Sequence, residues 1–263
     1  MDIIEHNRKA WDRESRGGSA WCMPVSAELI QAARNGQWSV ILTPNKAVPA
    51  TWFEDIRGKR VLCLASGGGQ QVPILAAAGA IVTSFDLSAE QLAKDQQIAT
   101  REGLPLTCVQ GNMTDLSAFS ADSIDLIFHP VSNVFVPELT ALWNECYRVL
   151  QPGGALLAGF MNPSLFLFDH AEVEQTGTLV VRHALPYREP QSLDVDQQLK
   201  WRESGRAAEF SHSLETQIGG QLRAGFVLTD LYEDNWSDEA TLFNRYSPVA
   251  IATRAVKSGL RNE

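Results

Sequence analysis

The sequence predicts an α/β fold built on a doubly wound, seven-stranded, mostly parallel sheet. From residue 60 onward, short apolar runs alternate with amphipathic segments of helical length. This alternation is typical of βαβ units, whose right-handed crossovers place helices on both faces of a parallel sheet. A Ser-Gly-Gly-Gly run also follows the first apolar run, where the ligand-binding loop of such a sheet is expected.

Each predicted strand is an apolar run short enough to be a buried strand. We expect seven of them, at residues 60–65, 80–85, 106–109, 124–128, 155–160, 226–232 and 249–253. Residues 178–183, rich in β-branched side chains, could form a further strand.

The predicted helices are marked by capping residues. Ser26 is a plausible N-cap, Ser88 and Gln91 have the spacing of a capping box, and Pro137 suits the first position of a helix. The helices are expected at about residues 3–16, 26–35, 70–78, 88–102, 137–150 and 213–224.

The domain organisation follows from a change of pattern near residue 56. Residues 1–55 are aromatic and irregular between two helices, so we expect a helical N-terminal cap. Residues 56–263 then form the main domain, with an insertion at about 164–211 after the fifth strand that we interpret as a lid over the site.

Composition excludes several classes of protein. The 263 residues carry 22 basic and 31 acidic side chains, a formal net charge of −9, so we expect no nucleic-acid partner. No apolar run approaches the length of a membrane span, and the N-terminus does not resemble a signal peptide. The four cysteines lack metal-site spacing, which favours free thiols, no metal and a cytoplasmic location.

The glycine turn Gly67–Gly69 is the first chemical motif. Glycines let the backbone approach a ligand, and the N-terminus of the next helix attracts negative charge. Asp86 ends the second strand, where a carboxylate accepts hydrogen bonds from ribose hydroxyls. Together the two motifs indicate an adenosine-containing ligand.

Two such ligands compete, a dinucleotide and S-adenosylmethionine. The dinucleotide fingerprint needs a small residue at its last position, which Val72 occupies here. S-adenosylmethionine has no pyrophosphate and does not need that residue. The alternatives kept open are a nicotinamide-dependent oxidoreductase and a protein that binds S-adenosylmethionine without catalysis.

Five ordered motifs resemble those of class I S-adenosylmethionine-dependent methyltransferases of the small-molecule "type 11" kind. They lie at residues 61–69, 84–88, 111–113, 123–129 and 148–154. The resemblance implies a Rossmann-like sheet and methyl transfer to a small-molecule acceptor by in-line displacement. Three positions depart from the family pattern: Cys63 stands where an acid is common, Ala65 where a glycine is common, and Asn112 where an aspartate is common.

The resemblance also implies the cofactor-binding residues. They are Ala65, Ser66, Gly67, Gly68, Gly69, Gln70, Asp86, Leu87, Gln91, Asn112, Met113, His129 and Pro130. Among them Asn112 is expected to accept a hydrogen bond from the adenine amine, and Met113 to pack on the ring.

His129 is the candidate general base, because it follows the fourth strand and imidazole titrates near neutral pH. A packing or cofactor-contacting role remains open for it. Further polar candidates lie in the insertion, namely Asp169, His170, His183 and Tyr187. Four tryptophans could close over the ligands or anchor the cap: Trp11, Trp21, Trp38 and Trp52.

Overall fold

A single seven-stranded sheet organises the computed structural model, which describes residues 1–237 and 239–259. The strands are β1 Arg60–Leu64, β2 Ile81–Asp86, β3 Leu106–Gln110, β4 Ile124–His129, β5 Leu150–Met161, β6 Phe226–Asp234 and β7 Ala250–Lys257. Their order across the sheet is β3-β2-β1-β4-β5-β7-β6; β1 to β5 pair in parallel, and β7 is antiparallel to both β5 and β6. The predicted doubly wound, mostly parallel sheet is therefore confirmed.

The strand order reverses between β1 and β4, which lie side by side at the centre of the sheet. In open α/β sheets, ligands bind beyond the carboxyl ends of the strands at such a switch point. The loops after β1 and β4, with the loop after β2 on the neighbouring strand, therefore frame the expected site.

The helices are α1 Ile3–Gly17, α2 Ala27–Arg34, α3 Gln71–Ala77, α4 Ala89–Glu102, α5 Thr140–Val149, α6 His170–Thr176, α7 Val195–Ser204 and α8 Gly220–Ala224. Ser26 caps α2 and Ser88 caps α4, as predicted. The prediction that Pro137 opens a helix is wrong: a short 3-10 helix over Asn133–Phe135 comes first, and α5 begins at Thr140.

Alternating strand residues supply two hydrophobic cores, one on each face of the sheet. Leu62 and Leu64 of β1 face the core that contains Trp143 of α5. Val61 and Cys63 face the other core, which also contains side chains from the N-terminal region: Val40, Leu42, Val48, Trp52 and Phe53. Apolar side chains of residues 40–53 are thus part of the main core. The boundary between an N-terminal cap and a main domain at residue 56 stays a prediction.

The insertion after β5 contains α6, α7 and irregular segments. The expected strand at 178–183 is wrong, because only Val181 forms an isolated bridge, to Phe168. Val181 is 64% exposed. The β-branched side chains of this segment therefore do not pack on a sheet.

All four cysteines are free thiols. Across residues 1–237 and 239–259, no helix combines the length and the apolar character needed to cross a bilayer.

Candidate active site

The glycine turn lies directly against α4. The Gly67 N–H donates to Asp86 Oδ2 at 3.1 Å, the Gly68 N–H to the Gln91 carbonyl at 3.1 Å, and the Gly69 N–H to Asp95 Oδ1 at 2.7 Å. A Cβ on Gly67 would lie 2.9 Å from the Gln91 Cβ, and Gly68 has a φ of +114°. Close approach and backbone conformation therefore both require glycine here.

Asp86 ends β2 and is 9% exposed. Its Oδ1 accepts from the Ser88 N–H at 2.9 Å, and its Oδ2 accepts from Gly67. Burial raises the pKa of Asp86 to about 6, although the backbone hydrogen bonds oppose the shift. Each oxygen receives one such bond, so both keep acceptor capacity for a ligand.

Asp95 is a site residue that the sequence analysis missed. It lies within α4, where its carboxylate is fully buried and accepts from Gly69 and, at 2.6 Å, from the Ser84 hydroxyl. Burial raises the pKa of Asp95 to about 7. Because Asp95 holds the turn, it supplies the orienting acid that is absent at Cys63.

Gln91 forms only half of the predicted capping box. Its N–H donates to Ser88 Oγ at 3.2 Å, but its side-chain amide donates to Cys22 Sγ instead of returning to the Ser88 backbone. The Gln91 Oε1 is buried and has no hydrogen-bond partner among the described residues. This side chain therefore offers a ligand an unused acceptor beside the glycine turn.

The loop after β3 lies across Phe85. A Cβ on Gly111 would meet the Phe85 ring at 2.2 Å, so only glycine permits this contact. Asn112 Oδ1 accepts from the Thr114 N–H at 3.1 Å, which fixes the orientation of the amide. Met113 follows and is 9% exposed. Whether Asn112 and Met113 contact an adenine ring stays a prediction.

These elements open onto one cavity of about 430 Å³. Ten of the thirteen predicted cofactor-binding residues line it: Ala65, Ser66, Gly67, Gln70, Asp86, Leu87, Gln91, Asn112, Met113 and Pro130. Gly68, Gly69 and His129 do not. The N–H groups of Gly68 and Gly69 instead hold the turn against α4, because they donate to the Gln91 carbonyl and to the Asp95 carboxylate.

The structure does not bring His129 to the cavity. Its ring is fully buried, with Nδ1 3.3 Å from the Leu64 carbonyl and the plane edge-on to Trp143. The Nε2 has no partner in the described part of the chain. Burial lowers the pKa of His129 to about 4, so the ring is neutral at physiological pH. This placement favours packing over the expected role as general base, and that role stays a prediction.

The cavity continues between the N-terminal region and the insertion, where its walls are mainly apolar. Trp11 of α1 meets Phe135 edge-on at 5.0 Å between ring centroids. Other apolar wall residues are Ile4, Ile41, Leu42, Val134, Val136, Met161, Leu165, Phe166 and Trp236. Trp21 also lines the cavity. Trp38 and Trp52 instead pack in the hydrophobic core.

Two titratable residues of the insertion line the same cavity, His170 and Glu209. His170 was among the predicted candidates, whereas Glu209 was missed. Asp169 and Tyr187 do not line the cavity. Asp169 caps α6, and the Tyr187 hydroxyl donates to Glu189. His183 lines a separate polar depression of the insertion.

Asn7 joins the N-terminal region to the insertion. Its amide nitrogen donates to the carbonyls of Phe135 at 2.7 Å and Ala208 at 3.1 Å, and its Oδ1 accepts from the Ala208 N–H at 2.7 Å. The side chain is 2% exposed and also lines the cavity. One buried amide therefore ties three chain segments together at the cavity wall.

Comparison with known proteins gives the family. The model of a family described as "Methyltransferase domain" matches residues 62–158. The chain is 48% identical over 255 residues to the uncharacterized methyltransferase YbaJ of Bacillus subtilis, which covers 97% of this chain and 98% of that protein. It is 32% identical over 112 residues to a ubiquinone biosynthesis O-methyltransferase of Haemophilus ducreyi, covering 41% of this chain and 48% of that protein.

The fold is shared with solved structures. An S-adenosylmethionine-dependent methyltransferase from Mesorhizobium loti superposes with a TM-score of 0.59 at 18% identity, over 78% of this chain and 94% of that one. These matches do not favour the oxidoreductase or the non-catalytic alternative. With the near full-length relative and the ordered glycine turn and Asp86, they establish that the chain belongs to the class I methyltransferases, enzymes that use S-adenosylmethionine.

Proposed function

We propose that this enzyme transfers the methyl group of S-adenosylmethionine to a small, largely apolar acceptor by in-line displacement. The observation that carries the proposal is the shared cavity: one enclosure of about 430 Å³ is lined both by the glycine-turn residues and by apolar side chains. A volume of this size suits a small-molecule ligand.

The residues present fit an adenosyl group. The Cβ-free turn at Gly67, the acceptor capacity of Asp86 and the unpaired Gln91 Oε1 lie together at the ends of β1 and β2. In this proposal Asp86 accepts from the ribose hydroxyls, and Asn112 accepts from the adenine amine with the second lone pair of its Oδ1. Leu87 and Met113 supply the apolar surfaces for the rings.

Apolar walls support the proposed class of acceptor. Residues from α1, the loop after β4 and the insertion enclose the space, including Trp11, Phe135 and Phe166. A buried aromatic enclosure favours a compact apolar molecule over a polymer, and the net charge of −9 disfavours nucleic acid. The relative named for O-methylation in ubiquinone biosynthesis supports an oxygen nucleophile.

The cofactor supplies an activated methyl on a good leaving group, so the protein acts mainly by positioning. Holding two reactants in line contributes roughly 7–11 kcal/mol to lowering a bimolecular barrier. Asp86 and the glycine turn fix one reactant, and the apolar walls fix the other. Trp11 and residues of the insertion line the cavity, and in this proposal they exclude water from the bound reactants.

The test uses labelled S-adenosylmethionine with three classes of acceptor: small phenols, a protein extract and bulk RNA. We expect label in small organic products only. Val134→Trp fills the apolar part of the cavity and should abolish transfer while S-adenosylhomocysteine still binds by calorimetry. Val227→Trp, at an exposed position of β6, is the matched control. Label in RNA or protein alone would refute the small-molecule acceptor.

A further inference from the structure

Glu209 lines the cavity, whose walls between the N-terminal region and the insertion are mainly apolar but also include Asn7 and His170. Its neighbours Ala208 and Phe210 are buried, 0% and 3% exposed, and Phe210 pairs with Arg188 in a short antiparallel bridge. Side chains alternate along extended chain. The Glu209 side chain therefore points away from its two buried neighbours and towards the cavity.

The backbone around Glu209 is fixed on both sides. The Ala208 N–H donates to Asn7 at 2.7 Å, and the Phe210 N–H donates to the Val134 carbonyl at 2.8 Å. The Glu209 N–H itself donates to Glu189 Oε2 at 3.1 Å. Hydrogen bonds to α1, to the loop after β4 and within the insertion thus hold the backbone of Glu209 at a defined place.

The charged groups near Glu209 pair with one another and not with its carboxyl group. Glu189 is 1% exposed and pairs with Arg206, and it also accepts from the Tyr187 hydroxyl at 2.6 Å. These three are the ionisable groups that act on the Glu209 carboxyl. No described residue forms a hydrogen bond or an ion pair with that carboxyl itself. Arg206 is committed to Glu189, so Glu209 keeps its oxygens for a ligand.

The environment suits proton transfer near neutral pH. Burial and the Glu189 charge raise the pKa of Glu209 to about 7, and Arg206 only partly opposes them. A general base is most effective when its pKa lies near the working pH. The cavity that Glu209 lines has aromatic side chains in its walls, with Trp11, Phe135 and Phe166 among them.

We infer that Glu209 is the general base for an acceptor carrying an aromatic hydroxyl, an assignment that rests on the proposed function. The acceptor oxygen forms the new bond to the methyl carbon with the electron pair that its O–H bond releases. The proton passes to the Glu209 carboxylate, and the carbon–sulfur bond breaks with its electron pair left on sulfur. The proton then leaves to solvent, which restores the carboxylate.

The test compares two phenols in mildly alkaline buffer. 4-Methylphenol keeps its proton there, whereas 4-nitrophenol is largely ionised and needs no base. Glu209→Gln should lower turnover of 4-methylphenol by about 10²–10⁴-fold, the usual contribution of a general base. Turnover of 4-nitrophenol and binding of S-adenosylhomocysteine should change only a few-fold. The matched control is Glu203→Gln, at an exposed position of α7. It should change neither the turnover of the two phenols nor the binding of S-adenosylhomocysteine.

A second measurement does not depend on turnover. The absorbance of bound 4-nitrophenol, titrated with S-adenosylhomocysteine present, reports where that phenol ionises. A nearby carboxylate opposes phenolate formation, so the bound phenol should ionise at lower pH in Glu209→Gln than in the unaltered protein. Equal turnover losses for the two phenols, or an unchanged titration, would refute the base. Failure of the unaltered protein to methylate either phenol, with cofactor binding intact, would refute the hydroxyl acceptor alone.

Discussion

The carboxylate of Asp95, in the middle of α4, accepts a 2.7 Å hydrogen bond from the backbone N–H of Gly69. Its other oxygen accepts from the Ser84 hydroxyl at 2.6 Å. One buried acid thus connects the glycine turn, β2 and α4. The conformation of the turn depends on a side chain that is distant from it in sequence.

Replacement of Asp95 should therefore loosen the turn. Asp95→Ala leaves two buried donors without acceptors, at about 1–3 kcal/mol each in the free energy of unfolding. Urea denaturation measures that loss, and calorimetry should show weaker binding of S-adenosylhomocysteine. Gln97→Ala, at an exposed position of α4, is the control. Unchanged binding by a folded Asp95→Ala protein would contradict the orienting role.

Cofactor affinity should depend on the ionisation of Asp86. Its pKa is raised to about 6, and the charged form is the stronger acceptor for ribose hydroxyls. Affinity should therefore fall as the pH drops through about 6. Asp86→Asn should weaken binding at neutral pH by about 1–3 kcal/mol and remove this pH dependence. Calorimetry with S-adenosylhomocysteine across this range provides the measurement, and a dependence that survives in Asp86→Asn would assign the titration to another group.

His129 should matter for stability and not for chemistry. His129→Ala removes a fully buried ring beside Trp143 and should cost about 2–4 kcal/mol in the free energy of unfolding. Turnover per folded molecule should stay within a few-fold, because the ring does not line the cavity. His129→Phe, which keeps an aromatic ring, is the companion variant. A large loss of turnover in a stably folded His129→Phe protein would restore the catalytic hypothesis.

Ala65 has a φ of +45°, a left-handed conformation that costs an L-residue roughly 1–2 kcal/mol. Ala65→Gly should relieve this strain but give the unfolded chain more freedom, for a net gain of about 0.5–1 kcal/mol in the free energy of unfolding. The same change at exposed Ala93 within α4 should destabilise by a similar amount. Urea midpoints of the two variants that shift in the same direction would contradict the strain argument.

Local patterns in the sequence predicted the sheet and ten of the residues that line the cavity near the glycine turn. A buried strand followed by Gly67–Gly69, and another ending at Asp86, are signals confined to a few consecutive residues. Residues 178–183 show the limit of such signals, because β-branched side chains form a strand only where a sheet surface receives them.

The acceptor side could not be predicted in the same way. Asn7 and Ala208 form a hydrogen bond although they are 201 positions apart in the sequence. No local pattern around either residue predicts this contact. Glu209 resembles any exposed glutamate until the insertion folds over the cavity. His129 lay in the expected strand end, but side-chain alternation along β4 turned its ring towards Trp143.

The three hydrogen bonds of Asn7 also constrain how molecules enter and leave. To lift α1 away from the cavity, the protein must release Phe135 and Ala208 together, so the insertion loses an anchor whenever the first helix detaches. We therefore expect movement of α1 to be coupled to movement of the insertion. Release of Asn7 would therefore remove one of the anchors of the segment that carries Glu209.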